Sequence, residues 1–135
     1  MSLNPYLITL SKNAGKSGYL SFIEESNDFP IDIKRVYWIY GNSQDGVRGN
    51  HAHINSDRIL VCLQGVVHVK MESVEGKIIS FDLNDPSIAL YFPRNYWINL
   101  KFEEGSILIV LSSCLFQDEK VERDYQNFKK LVHLL

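Results

Sequence analysis

The sequence has few of the features that mark secreted, membrane-bound or nucleic-acid-binding proteins. It contains only two cysteines, Cys62 and Cys114, and both lie inside apolar runs, so we expect buried, reduced thiols. No apolar stretch approaches the ~20 residues that a membrane-spanning helix needs. The N-terminal segment lacks the basic start, long apolar stretch and small-residue cleavage site of a secretory signal. These absences predict a cytoplasmic protein that does not enter a membrane.

An excess of charge of one sign is also lacking. The chain has 14 Lys and Arg against 16 Asp and Glu, which gives a net charge of −2. We therefore expect no general attraction to nucleic acid, and an anionic ligand would have to meet a local cluster of basic side chains. At 135 residues the chain is long enough for one well-packed domain and short for two. We predict a single domain over residues 1–135.

The chain does contain many short apolar or alternating segments that are separated by turn residues. They are rich in Val, Ile, Tyr, Phe and Trp, which favour strands. Nine strands are predicted, at 6–10, 19–24, 34–41, 58–64, 66–72, 77–82, 88–92, 96–101 and 106–112. Because no helical pattern lies between them, they favour an all-β fold, either an antiparallel barrel or a two-sheet sandwich.

Two parts of the chain allow a more detailed prediction. Strict alternation in 66–72 predicts that Val67, Val69 and Met71 are buried and that His68 faces solvent. In residues 118–135, apolar side chains recur at helical spacing, with acidic residues first and lysines late, as the helix dipole favours. We predict that this tail forms one C-terminal helix packed on the barrel.

The best candidate for a functional site is the histidine pair in "GVRGNHAHINSDRILVCLQG". Residues two apart on a strand point to the same side, so His51 and His53 project together. At the mouth of a barrel they would form a polar spot in an apolar cavity, the usual anatomy of a small-molecule site. Arg48 has the opposite parity and joins them only if the Gly46–Asn50 loop rotates it inward. Gly46 and Gly49 permit such a rotation.

The spacing around this pair resembles the two motifs of the cupins, a family of small β-barrels. The first motif corresponds to Gly46, His51, His53, Asp57 and Gly65, with Asp57 where the motif has a glutamate. The second motif falls on "PRNYWIN", with Ile98 where the motif has a histidine. Catalytic metal sites keep at least three protein ligands. The comparison with the cupin motifs therefore implies no metal, and it leaves proton transfer as the task of the histidines.

Longer strings resemble a narrower group, the metal-free nucleoside-diphosphate-sugar 3,4-ketoisomerases related to the WxcM proteins. The strings are "RVYWIYG", "VRGNHAHINSDRILVCLQGVVHV", "LYFPRNYW" and "DYQNFKK", and the resemblance covers nearly the whole chain. It implies a cupin-type antiparallel barrel, or jelly roll, with a short C-terminal helix. It also implies a homodimer, in some members with exchanged strands, and no cofactor. The implied substrate is a TDP-linked 4-keto-6-deoxyglucose, whose 3-keto product leads to 3-amino sugars of surface polysaccharides.

The resemblance and the chemistry together assign candidate roles. Moving a keto group from C4 to C3 requires a base that removes the C3 proton and a group that stabilises the enediol oxygen. His51 and His53 are the candidate catalytic residues, because histidine can take and return a proton near neutral pH. Which of the two is the base stays open. Candidate substrate-binding residues are Arg48 for the diphosphate or the oxyanion, Tyr37 for the sugar, Trp97 for the base, and Asp57.

Two other functions remain open at this point. Ile98 departs from the cupin motif, and "GKSG" stands where relatives commonly have Asp-x-Arg-Gly before the first strand. Both departures fit a sugar-nucleotide-binding cupin that has kept the pocket without turnover. A metal-dependent cupin enzyme is the third alternative, and Ile98 argues against it.

Overall fold

The computed structural model describes residues 3–43 and 46–134, and most of its regular structure is antiparallel strand. The strands are β1 (Tyr6–Thr9), β2 (Asn13–Gly15), β3 (Gly18–Leu20), β4 (Arg35–Ile39), β5 (Gly46–His53), β6 (Arg58–Gln64), β7 (Val67–Ser73), β8 (Ile78–Leu83), β9 (Ile88–Phe92), β10 (Tyr96–Phe102), β11 (Ile107–Ser112) and β12 (Val121–Glu122). The helix α1 (Tyr125–Lys130) follows, and 3₁₀ turns cover Phe116–Asp118 and Leu131–His133. Within the described ranges, no helix is long and apolar enough to cross a bilayer.

Two five-stranded sheets make up the body of the protein. The first has the order β1-β9-β6-β11-β4, and the second has the order β12-β5-β10-β7-β8. The strands β2 and β3 pair only with each other, as a separate hairpin. Each of the nine predicted strands overlaps an observed one, whereas β2, β5 and β12 are not among those nine. The all-β prediction is confirmed.

The main core lies between the two sheets. Leu60 and Leu108 of the first sheet pack in one buried cluster with Val69 and Ile98 of the second. The apolar run of β6 is buried on both faces, because Ile31 and neighbouring apolar side chains pack on the outer side of the first sheet. Both cysteines are free and buried, as predicted. The alternation predicted for β7 is also confirmed, since its apolar residues are buried and the side chain of His68 is 40% exposed.

The predicted extent of the C-terminal helix is wrong. Residues 116–118 form a 3₁₀ turn, and Val121 and Glu122 pair with the edge of β5 instead of entering a helix. The helix begins only after Asp124, whose carboxylate accepts a hydrogen bond from the backbone N–H of Asn127 at 3.0 Å. Backbone pairing with a free sheet edge therefore overrides the helical periodicity of this segment, whose last residue, Leu135, lies outside the described residues.

A β-bulge in β5 sets the direction of the side chains along that strand. His51 pairs with Ile98 of β10, but the next residue of β10, Asn99, pairs with Gly49, so Asn50 is the extra residue. Gly49 has a φ of 121° and Asn50 a φ of 56°. The extra residue reverses the alternation of the strand, so the side chain at position 48 faces the same way as those at 51 and 53.

We predict that Gly49→Ala destabilises the fold. A Cβ atom at this position would lie 2.4 Å from the carbonyl oxygen of Ile98, closer than real Cβ contacts. The expected loss in the free energy of unfolding is roughly 1–3 kcal/mol beyond that of the control, measured by urea denaturation. The control is Gly18→Ala, because Gly18 has a similar φ of 114° but no atom within 4 Å of the added Cβ. Equal losses in the two variants would contradict the proposed close contact.

Candidate active site

A cavity of about 480 Å³ opens between the two sheets beside β4 and β5. Its walls combine apolar core residues with a group of basic and polar side chains. The lining residues are Tyr37, Ile39, Val47, Arg48, Gly49, Asn50, His51, His53, Arg58, Leu60, Ile98, Leu100, Val110 and Arg123. Among the described residues, three arginines and no carboxylate line it. The cavity is therefore suited to an anionic ligand with an apolar part.

The two histidines meet inside this cavity. Their Nε2 atoms are 3.1 Å apart, and the rings are nearly perpendicular, with centroids separated by 4.7 Å. Nδ1 of His51 lies 3.0 Å from the carbonyl oxygen of Gly49. A carbonyl oxygen only accepts hydrogen bonds, so Nδ1 of His51 donates, and in the neutral ring Nε2 is left unprotonated. His51 therefore presents a basic nitrogen to His53.

Both imidazoles are held in their neutral form. Burial lowers the pKa of His51, and the positive charges of Arg123, Arg58 and Arg48 lower it further, against the effect of the Gly49 carbonyl. Burial lowers the pKa of His53 to about 2, with Arg58 adding to the effect. A neutral histidine can accept a proton from carbon without first losing one to water.

A buried ionic cluster stands behind His53. Oε1 of Glu119 lies 2.9 Å from Nδ1 of His53 and also contacts Nη2 of Arg58, while Oε2 lies 3.0 Å from Nη2 of Arg35. Arg58 is only 2% exposed, and its Nε donates a hydrogen bond to the hydroxyl oxygen of Tyr37 at 3.2 Å. This contact leaves the hydroxyl hydrogen of Tyr37 free to donate to another acceptor.

The structure brings four of the predicted site residues together. His51, His53, Arg48 and Tyr37 all line the cavity, and Arg48 reaches it because of the bulge. Ile98 pairs with His51, is 4% exposed and lines the cavity as well. An aliphatic side chain thus occupies the place that the cupin motif gives to a third histidine.

The other two predicted site residues do not reach the cavity. Trp97 alternates with Ile98 on β10 and therefore lies on the opposite face of the sheet, packed against Tyr125 and Phe128 with ring centroids 5.3 and 5.6 Å away. Asp57 forms an ion pair with Arg94, with 3.0 Å between Oδ2 and Nη2, in a separate surface depression. This pair joins the loop after β5 to the loop before β10.

Sequence reasoning missed Arg35, Arg58, Glu119 and Arg123. Arg58 gives one usable signal, because it is a charged residue at the start of a strand whose next five residues are apolar. Glu119 and Arg123 gave none, since a charged residue in a presumed C-terminal helix is expected to face solvent. Their positions follow from β12, the short strand that pairs with β5 and was not predicted.

Comparisons with known proteins find a matching family and a similar enzyme. The family model described as "FdtA: WxcM-like, C-terminal" matches residues 3–133. The chain is 34% identical over 128 residues to TDP-4-oxo-6-deoxy-alpha-D-glucose-3,4-oxoisomerase of Aneurinibacillus thermoaerophilus, covering 93% of this chain and 91% of that one.

Solved structures of similar proteins share the fold. QdtA, a sugar 3,4-ketoisomerase from Thermoanaerobacterium thermosaccharolyticum solved in complex with TDP, is 34% identical, with a TM-score of 0.88 and coverage of 99% of this chain and 98% of that one. A 3,4-ketoisomerase from Helicobacter canadensis is 28% identical, with a TM-score of 0.89 and coverage of 97% and 98%.

These matches define first a class and then a family. The fold is that of the cupin-type sugar isomerases. Within that class, the chain belongs to the FdtA family of WxcM-like proteins. The predicted cupin-type fold with a short C-terminal helix is confirmed, and so is the resemblance to the 3,4-ketoisomerases.

Proposed function

We propose that this protein is a 3,4-ketoisomerase that converts TDP-4-keto-6-deoxyglucose into its 3-keto isomer. The observation that carries the proposal is the pair of neutral histidines, 3.1 Å apart, inside an arginine-lined cavity. The relative that is 34% identical is named for this reaction. A variant of QdtA was solved in complex with the same 4-keto sugar nucleotide, and that enzyme has the same fold.

The reaction moves two protons and no net electrons. A base removes the C3 proton, and the electrons of that C–H bond form a C3–C4 double bond while negative charge develops on the oxygen of C4. A proton is then delivered to C4, and the proton of the C3 hydroxyl passes to the oxygen of C4, which leaves a carbonyl at C3 and a hydroxyl at C4. Positioned acids and bases account for such transfers. We assign the first transfer to His51, because its Nε2 is unprotonated, and make His53 its partner.

The basic and phenolic groups of the cavity have separate tasks in this proposal. Arg48 and Arg123 bind the diphosphate, since a guanidinium keeps its charge and pairs with phosphate oxygens. Tyr37 donates its free hydroxyl hydrogen to a sugar oxygen, and Arg58 behind it contributes positive charge where the enediolate forms. The 3-keto product would suit a later amination at C3, as the family resemblance implies. The cytoplasmic location stays a prediction.

We propose that the reaction needs no metal or other cofactor. In a metal-dependent cupin the third nitrogen ligand would stand at position 98, where this chain has an isoleucine that cannot coordinate. Among the described residues, no group of three or more His, Cys, Asp or Glu side chains is arranged to hold a metal ion. Stoichiometric Fe, Mn or Zn in the active purified protein would contradict this part of the proposal.

We predict that His51→Asn lowers kcat by about 10²–10⁴-fold and leaves affinity for TDP nearly unchanged, because the variant loses the base and keeps the arginines. The measurement is NMR of the sugar nucleotide in heavy water, which follows the 3-keto product and deuterium at C3 and C4.

In the wild type, the acid limb of kcat/KM should lie below pH 6.5, since burial lowers the pKa of His51 from 6.5 and the base works only when unprotonated.

The matched control is His68→Asn, which removes an exposed histidine on the outer face of the second sheet and should leave kcat unchanged. If the His51→Asn variant still incorporates deuterium into the sugar as fast as the wild type, the assignment of the base is wrong. If the wild type binds the sugar nucleotide tightly but neither labels nor isomerises it, the chain is a binding protein, and Ile98 would then be the first residue to restore to histidine.

We also propose that the protein forms a homodimer through the edge strand β4 of the first sheet. The side chains on the outer face of this strand and its extension are large, apolar and open to solvent: Val36 is 46%, Trp38 59% and Tyr40 69% exposed. Exposed apolar residues on an unpaired edge strand favour association with another chain. The hairpin β2–β3 pairs with neither sheet and exposes Tyr19 and Leu20, so it is the segment available for exchange between subunits.

We predict that Trp38→Lys produces monomers, because it places a charge in the middle of this apolar edge. Sedimentation velocity at several protein concentrations is the measurement. The control is Ile78→Lys, because Ile78 is 54% exposed on β8, the edge strand of the other sheet, and its replacement should leave a dimer intact. A wild type that sediments as a monomer at all concentrations would contradict the dimer, and a dimeric Trp38→Lys variant would contradict this interface.

A further inference from the structure

We propose that Glu119 is a positioning residue that keeps the proton of neutral His53 on Nδ1, so that both Nε2 atoms of the pair are available to the proton that moves during isomerisation. The role in isomerisation rests on the proposed function. The proton position itself does not, and it can be measured separately.

The first step of the argument is the placement of the carboxylate. Oε1 of Glu119 lies 2.9 Å from Nδ1 of His53, and the side chains of the two residues are 11% and 10% exposed. Two guanidinium groups hold the carboxylate in place, with Oε2 3.0 Å from Nη2 of Arg35 and Oε1 in contact with Nη2 of Arg58. Neighbouring positive charges favour the ionised form of a carboxylic acid. A buried negative charge therefore faces Nδ1 of His53.

The second step concerns the tautomer of His53. If Nδ1 were unprotonated, its lone pair would face a carboxylate oxygen at 2.9 Å, which is repulsive; a proton on Nδ1 makes the same contact attractive. The two atoms are not aligned for a hydrogen bond, so the preference is electrostatic. Nδ1 of His51 is already committed to the carbonyl of Gly49. Both rings then carry their protons on Nδ1, and both Nε2 atoms are unprotonated.

The third step is the consequence for proton transfer. Two unprotonated Nε2 atoms 3.1 Å apart repel each other, and a single proton placed between them relieves that repulsion. A proton taken from C3 would be shared by the pair, and the positive charge that forms would lie next to Glu119. Without the carboxylate, His53 would carry its proton on Nε2 and donate it to His51. That hydrogen bond would occupy the lone pair that His51 needs as a base.

The other charged and titratable groups around the pair do not replace Glu119. From β4 come Arg35 and Tyr37, from β5 Arg48, from β6 Arg58, and from the segment after β12 Arg123, while Cys114 lies near Arg58. All of the arginines oppose a positive charge on the pair. Among the described residues, Glu119 is the carboxylate that forms an ion pair with His53.

The test is Glu119→Gln, which keeps the shape of the side chain and removes its charge. Nitrogen-15 NMR of the imidazole rings should show His53 protonated on Nδ1 in the wild type and on Nε2 in the variant. The expected loss in kcat is about 10²-fold or more, with little change in KM, because the binding groups remain. Glu119→Asp restores the charge and should recover part of kcat. The matched control, Asp82→Asn, removes the carboxylate 2.7 Å from Nδ1 of His68 outside the cavity and should leave kcat unchanged.

Glu119→Gln leaves the buried Arg58 and the partly buried Arg35 less well paired, and this can prevent folding. The double variant Glu119→Gln with Arg35→Met removes one charge of each sign and provides a folded protein for the same measurements. Wild-type His53 with its proton on Nε2 would overturn the proposal. An unchanged His53 tautomer or an unchanged kcat in Glu119→Gln, or in the double variant, would also overturn it. If the wild type has no isomerase activity, the proposed function fails, while the NMR result still decides whether Glu119 sets the tautomer.

Discussion

The arrangement of the site depends on the close approach of β5 to β10 at Gly49. The missing side chain lets the backbone of Gly49 lie against the carbonyl of Ile98, and the extra residue beside it reverses the alternation of the strand. A regular strand would point Arg48 away from the histidines. The bulge instead places Arg48 and His51 in one cavity and turns the carbonyl of Gly49 toward the ring of His51. One backbone irregularity thus places one of the positive charges of the site and fixes the tautomer of His51.

The buried charges explain why the histidines are suited to taking protons from carbon. Burial and the surrounding guanidinium groups keep both rings neutral before the reaction. The same burial and positive charges weaken the histidines as bases for the C3 proton. Glu119 offsets this weakening, because its negative charge stabilises the imidazolium as it forms. Removing one member of a buried ionic cluster is costly, so Arg35, Arg58 and Glu119 support the fold and the chemistry together.

Much of the fold could be predicted from the sequence, because the strands are short, apolar and well separated by turns. His51 and His53 could be placed on one side of a strand, because residues two apart on any strand point to the same side. The positions of Arg48 and Glu119 could not be predicted. Arg48 depends on a bulge that two strands form together, and Glu119 depends on a two-residue strand whose neighbours follow a helical pattern. Pairing between segments distant in sequence decided both.

The central claim is that His51 and His53 carry the same proton from C3 to C4. The most direct test is a single turnover of TDP-4-keto-6-deoxyglucose deuterated at C3, in ordinary water, with NMR of the product. His53 is only 8% exposed and His51 is partly buried, so we predict that part of the deuterium appears at C4. Product whose C4 hydrogen comes entirely from solvent would contradict a shared proton and would require two independent groups.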